Sequence, residues 1–297
     1  MAIEKVAVIG SGFMGYQIAL RNAVKGFTVS MYDLEEEALE KTKENQENVL
    51  SSRVENEILT EKEKAHILNR INYTTSLSEA VADADLIIEA IPEKLELKRK
   101  LFKDVDEVSP PHSIIATTSS SIRVSLIEDA CKRPEKVLNL HFFPPVWDRP
   151  MFEIMRGSRT SDETIETITE YAKNVEITPL FVLKESTGFL FNRVWRAIKK
   201  ETLHLVDDGV ASFEDVDRAW MIAVKTPWGP FGLMDVVGLD VVRDIEMVYY
   251  GESGDESDYP PGLLLDKIEK GELGIKTGKG FYCYPNPAYQ NPDWLMG

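Results

Sequence analysis

Two side chains twelve residues apart, His141 and Glu153, have the types and setting needed to move a proton. His141 closes the apolar run Lys136 to Leu140 and is followed by Phe142-Phe143-Pro144-Pro145. Glu153 lies within Met151-Phe152-Glu153-Ile154-Met155, an expected strand reached through a proline-rich turn containing Pro150. An out-and-back path brings its carboxylate to one imidazole nitrogen. The carboxylate then fixes the tautomer and supports the imidazolium, which leaves the other nitrogen to take a hydroxyl proton. That is the general base an alcohol oxidation requires. The blander alternative is a histidine capping a strand and a glutamate in an ion pair, and the nucleotide fingerprint described next weighs against it. A hydroxyl run, Thr118-Ser119-Ser120-Ser121, follows another apolar strand. Ser120 is the candidate for touching substrate, and Ser121 the better cap for a helix expected over Val124 to Cys131. His66, His112 and His204 have no comparable setting and read as structural.

The fingerprint stands at the start of the chain. An apolar strand, Val6 to Ile9, runs into Gly10-Ser11-Gly12-Phe13-Met14-Gly15 and then into a helical pattern up to Val24. A second strand, Phe27 to Tyr32, ends in Asp33. A glycine-rich turn between strand and helix, with an acid closing the next strand, predicts dinucleotide binding. The helix N-terminus faces the pyrophosphate, and Asp33 takes the ribose hydroxyls. Glu35, Glu36 and Glu37 follow with no arginine to meet a 2′-phosphate, so NAD is expected rather than NADP.

These residues need a frame. Residues 34–70 read as long charged helices broken near Glu57 and Thr60, an insertion between strands. Strands are then expected at 71–73, 85–90, 113–117 and 136–140, with helices at 76–82 and 95–108 between them. That alternation predicts a Rossmann-type, doubly wound, largely parallel α/β sheet over residues 1–185. From about Ser186 the pattern is helical only, which makes 186–297 an all-α domain for substrate and dimerisation.

Composition narrows the function. Thirty-four lysines and arginines face fifty acids, a net charge of −16, which disfavours nucleic-acid and anionic-membrane binding. Two cysteines and four histidines without metal spacing predict no metal site. Met1 runs almost directly into the first strand and no long apolar span follows, so a cytoplasmic location is expected.

The ordered motifs GSGFMG, IPEKLELK, ATTSSSI, HFFPPV, FEIM, GFLFNR, PWGPFGLMDVVGLD and GIKTGKGFY resemble the L-3-hydroxyacyl-CoA dehydrogenases over nearly the whole chain. The resemblance implies hydride transfer between NAD and the β-carbon of a short-chain 3-hydroxyacyl-CoA. It makes His141 and Glu153 the catalytic pair, puts Ser120 and Asn192 on the substrate, and lines the cofactor pocket with Asp33, Glu93, Lys98 and Lys276. It also implies a homodimer joined through the helical domain. Two departures stand out. Pro144 replaces the asparagine usual in the family, and the stretch 50–58 that should meet CoA keeps Ser51 but has Arg53 as its one cation, beside Glu55 and Glu57. Free β-hydroxy or diketo acids, as in the similar diketoreductases, are therefore the rival substrates. A non-catalytic NAD sensor is the rival from outside enzymology.

Overall fold

Short runs of β-branched and aliphatic residues bounded by glycine, proline or charge form the strands, and most are buried on both faces. In the computed structural model, which describes residues 2–296, these are β1 (Lys5–Ile9), β2 (Thr28–Tyr32), β3 (Ile71–Thr74), β4 (Leu86–Glu89), β5 (Ile114–Thr117), β6 (Val137–Phe142), β7 (Met151–Arg156) and β8 (Thr178–Val182). One sheet holds them in the order β3-β2-β1-β4-β5-β6-β7-β8. The first six are parallel, β7 is antiparallel to β6, and β8 is parallel to β7. The strand order reverses between β1 and β4. Ligands of doubly wound sheets bind at that switch point, beyond the carboxyl ends of the strands.

The helices of this unit are α1 (Phe13–Val24), α2 (Glu36–Glu55), α3 (Glu61–Leu68), α4 (Leu77–Val81), α5 (Leu95–Val108) and α6 (Asp162–Asn174). The helical insertion is α2 and α3, and Thr60 opens α3 with a full capping box to Glu63. Two expectations need correction. The helix over Val124 to Cys131 is instead two 3-10 turns, Val124–Leu126 and Glu128–Ala130. Arg99 binds the Leu126 carbonyl and Glu185 accepts from Ser125 N–H, so tertiary partners from two other segments hold this stretch. Strand β6 continues through His141 to Phe142 because β7 pairs along its whole length. Helix α6 and edge strand β8 fill residues that the sequence pattern left unassigned.

The C-terminal unit is helical, with α7 (Phe191–Asp207), α8 (Phe213–Val224), α9 (Pro230–Val237), α10 (Leu239–Ser253) and α11 (Gly262–Glu269) around Leu203, Phe231, Met234, Leu239 and Leu264. Gly238, at φ +98°, separates α9 from α10. The two units divide between Leu190 and Phe191, five residues beyond the expected 185/186. Glu185 and Leu190 are tied by hydrogen bonds to residues of the first unit, and so belong with it.

The turn after β1 is set by close backbone approach. A Cβ on Gly15 would sit 1.9 Å from the Gly10 carbonyl oxygen, and one on Gly10 would sit 2.7 Å from that of Ala90. We expect Gly15→Ala to destabilise the N-terminal unit by about 1–3 kcal/mol through overpacking. That exceeds the roughly 1 kcal/mol alanine gains over glycine in a helix. A urea midpoint at or above wild type would show that this approach does not constrain the fold.

Candidate active site

The antiparallel register puts His141 of β6 directly opposite Glu153 of β7. Their side chains meet, with Nδ1 2.9 Å from Glu153 Oε2. Glu153 is fully buried and its other oxygen, Oε1, accepts the Leu190 backbone N–H at 2.9 Å. A carboxylate only accepts, so an imidazole nitrogen facing one is suited to be the donor, which leaves the other nitrogen a lone pair. Ser120 Oγ lies 3.0 Å from that Nε2. The imidazole is packed on two sides by aromatic rings. Phe189 stacks on it at 4.9 Å and 10°, and Phe143, just past the end of β6, meets it edge-on at 4.7 Å. Neither ring was singled out from sequence. Phe143 had a period-two signal; Phe189, forty-eight residues away, had none.

The serine turn after β5 is organised by Glu93. Its Oε1 accepts from Ser119 Oγ, from the N–H groups of Ser120 and Ser121, and from Ser121 Oγ. Burial opposes ionisation of Glu93, but the Ser119 hydrogen bond, Lys98 and Ser121 outweigh it and hold the carboxyl below its ordinary range. The capping role expected of Ser121 falls to Ser119, whose Oγ accepts from Ile122 N–H at 2.7 Å. Lys98 also departs from expectation. Its ammonium is wholly buried, 2.5 Å from Glu89, 3.3 Å from Glu93 and 3.3 Å from the Ile91 carbonyl. It therefore acts on the pocket through Glu93 and does not line it. Burial pushes Glu89 up despite Lys98, while Thr117 and the Ile91 N–H also bind it.

Beside this lies the glycine turn, and its residues fit a dinucleotide. Gly12, the α1 N-cap, makes no side-chain cap hydrogen bond, and no acid occupies the first turn. The N–H groups there can meet a phosphate without a competing carboxylate. A Cβ on Gly12 would touch nothing within 4 Å, so that side of the turn is open to a ligand. Phe13 is exposed and Met14 packs against the core. Asp33 Oδ2 accepts from Ser11 N–H at 2.8 Å and from Ser11 Oγ at 2.7 Å, and Oδ1 receives one long contact from Glu35 N–H. The acid is thus fixed to the turn with one oxygen spare for ribose hydroxyls.

The remaining candidates have settings of their own. In α2, Ser51 Oγ accepts from Lys64 Nζ at 2.8 Å, with Glu47 3.6 Å from the same ammonium. Lys64 comes from α3 and is a second cation that a reading confined to residues 50–58 missed. In the C-terminal unit, Asn192 is half-buried in the first turn of α7, and Lys276 is ion-paired to Asp240 at 2.5 and 2.6 Å.

An edge that can take a dinucleotide at one end and exchange a proton at the other is the hallmark of nucleotide-dependent dehydrogenases. The chain belongs to the 3-hydroxyacyl-CoA dehydrogenase family: the NAD binding domain of that family matches residues 5–186, and its C-terminal domain matches 188–284. A 3-hydroxybutyryl-CoA dehydrogenase of Clostridioides difficile is 37% identical over 280 residues, which is 94% of this chain and 99% of the relative. The crystal structure of the (S)-3-hydroxybutyryl-CoA dehydrogenase of Ralstonia eutropha superimposes with a TM-score of 0.89 at 34% identity, covering 96% of this chain and 100% of that one. A diketoreductase structure, also 34% identical, gives 0.86 over 96% and 100% of the two chains. The protein is an NAD-dependent oxidoreductase of this family.

Proposed function

We propose that this enzyme interconverts the β-hydroxyl and β-keto forms of a short-chain 3-hydroxyacyl-CoA, with His141 as base in oxidation and acid in reduction. The supporting observation is the division of labour on one ring, with Nδ1 committed to buried Glu153 and Nε2 beside Ser120 Oγ. NAD supplies the hydride acceptor, or in reduction the donor. The protein handles the proton: Nε2 takes it from the β-hydroxyl as the alcohol is oxidised and returns it to the oxygen as the ketone is reduced. Glu153 supports the imidazolium formed between those events. Ser120 holds the substrate oxygen. A bare NAD sensor has no use for such a proton-exchanging pair.

The CoA tail rests on thinner support. Ser51 with Lys64 and Arg53 can meet nucleotide phosphates through charge-assisted hydrogen bonds. Glu47, Glu55 and Glu57 oppose them. Each exposed like-charge contact costs at most about 1 kcal/mol, so CoA is weakened and not excluded. Free β-hydroxy or diketo acids are the second reading, favoured by Pro144 and those acids. Among the described residues no helix is long and apolar enough to cross a membrane. Together with two cysteines in thiol form this supports a cytoplasmic enzyme.

The assembly proposed is a homodimer joined through the C-terminal unit. Val241, Ile245 and Val248 lie at i, i+4 and i+7 on α10, and all are exposed, as are Val236 and Val237 of α9. An apolar stripe of this kind on a small helical unit calls for a partner surface, and two-fold pairing is the commonest.

His141→Gln should lower turnover by roughly 10²–10⁴ while NADH still binds, and Glu153→Gln should lose less. Following NADH absorbance with 3-ketobutyryl-CoA measures both, and a His141→Gln enzyme with near-normal turnover would remove the pair from the mechanism. Replacing CoA by pantetheine in the thioester should change kcat/KM by less than about tenfold. A loss beyond about 100-fold, roughly 2.7 kcal/mol, would reveal a strong nucleotide site. Light scattering should give twice the chain mass of 33.6 kDa, and a value of one chain mass at micromolar concentration would refute the dimer.

A further inference from the structure

We propose that Phe189 is a positioning residue that sets the tilt of the His141 ring for proton exchange; this rests on the reading of His141 as the base. Hydrogen bonds to Glu153 and Ser120 leave from the two ring nitrogens on opposite sides of the imidazole. With the Cβ held in β6 they set the mean plane of the ring, and what is left is the play of χ1 and χ2 about it. A flat contact on the ring face narrows that play. Phe189 supplies it, nearly parallel at 10° and 4.9 Å, and is itself buried.

The backbone around Phe189 is unusual. Gly188 and Phe189 are consecutive residues at φ +75° and +54°, and the second is a conformation a phenylalanine avoids. Such outliers persist where neighbours over-determine them and gather at functional sites. Here the neighbours are the pair itself: the Phe189 ring lies on His141, and the next N–H, that of Leu190, binds Glu153. The Ser186 carbonyl takes the Phe189 N–H and closes the turn. Two successive residues thus grip both members of the pair, immediately before the chain enters α7.

Phe189→Leu keeps apolar bulk and removes the flat face. It should lower kcat about tenfold or more with KM for both substrates within about threefold, while melting temperature and NADH stoichiometry stay near wild type. A double-mutant cycle separates positioning from simple packing. In a His141→Gln background the same change should alter kcat by less than about twofold, because no base remains to be aimed. Wild-type kcat in Phe189→Leu, or an equal fall in both backgrounds, would overturn the proposal. If Phe189→Leu does not accumulate as folded protein, Phe189→Met asks the same question. Near-normal turnover in His141→Gln alone would reject the base itself, and the proposal with it, whatever Phe189→Leu does.

Discussion

A carboxylate with no access to water, Glu153, governs the arrangement around it. Removing an ionised group from solvent costs several kcal/mol even after relaxation, and loses far less only when every oxygen is bound. One oxygen takes the His141 Nδ1–H and the other the Leu190 N–H. The first bond requires β7 to run back along β6 in the register that puts residue 153 against 141, and this is why an otherwise parallel sheet reverses there. The second requires the chain leaving β8 to return to the carboxyl edge before it enters α7. The antiparallel register, the returning chain and the left-handed junction together satisfy this one buried group.

The same logic recurs three strands from β7, at the switch point. Lys98 and Glu89 form a fully buried ion pair, an arrangement that adds little net stability but fixes positions firmly. The position it fixes is Glu93, which draws the serine turn together and so brings Ser120 to His141. A line of polar contacts runs from Lys98 through Glu93, Ser120, His141 and Glu153 to the Leu190 backbone. Each member is satisfied by the next, so loss of one is felt along the line.

Local patterns carried much of this. The β1–α1 turn, the acid after β2, the broken helical insertion and the His–Glu strand pair all depend on contacts within about thirty residues, and their spacing is legible in the sequence. Three features were not. Lys98 looks like a surface lysine on an amphipathic helix, and nothing in α5 signals that two acids from the β4 end take it inside. The serine run has the composition of an N-cap, but the stretch after it forms two 3-10 turns tied to Arg99 and Glu185 from distant segments. Phe189 sits in a left-handed conformation no propensity assigns to phenylalanine, so its role emerges from packing against a strand forty-eight residues earlier.

A chain with a net charge of −16 still has to hold polyanionic nucleotides, and the two regions proposed for nucleotides do so differently. At physiological salt charges more than about 8 Å apart are largely screened, so the groups at each site decide, not the total. At the α1 N-terminus the donors are backbone N–H groups with no acid in the first turn. They cost nothing to the overall charge balance and suit a phosphate of fixed position. Beside Ser51 the donors are Lys64 and Arg53, and Glu47 already draws on the lysine. In the proposed reading the cofactor end is therefore pre-formed and the acyl-nucleotide end loosely held. Discrimination among substrates would then fall to Ser120 and His141, which meet a β-oxygen whatever thioester or acid it belongs to.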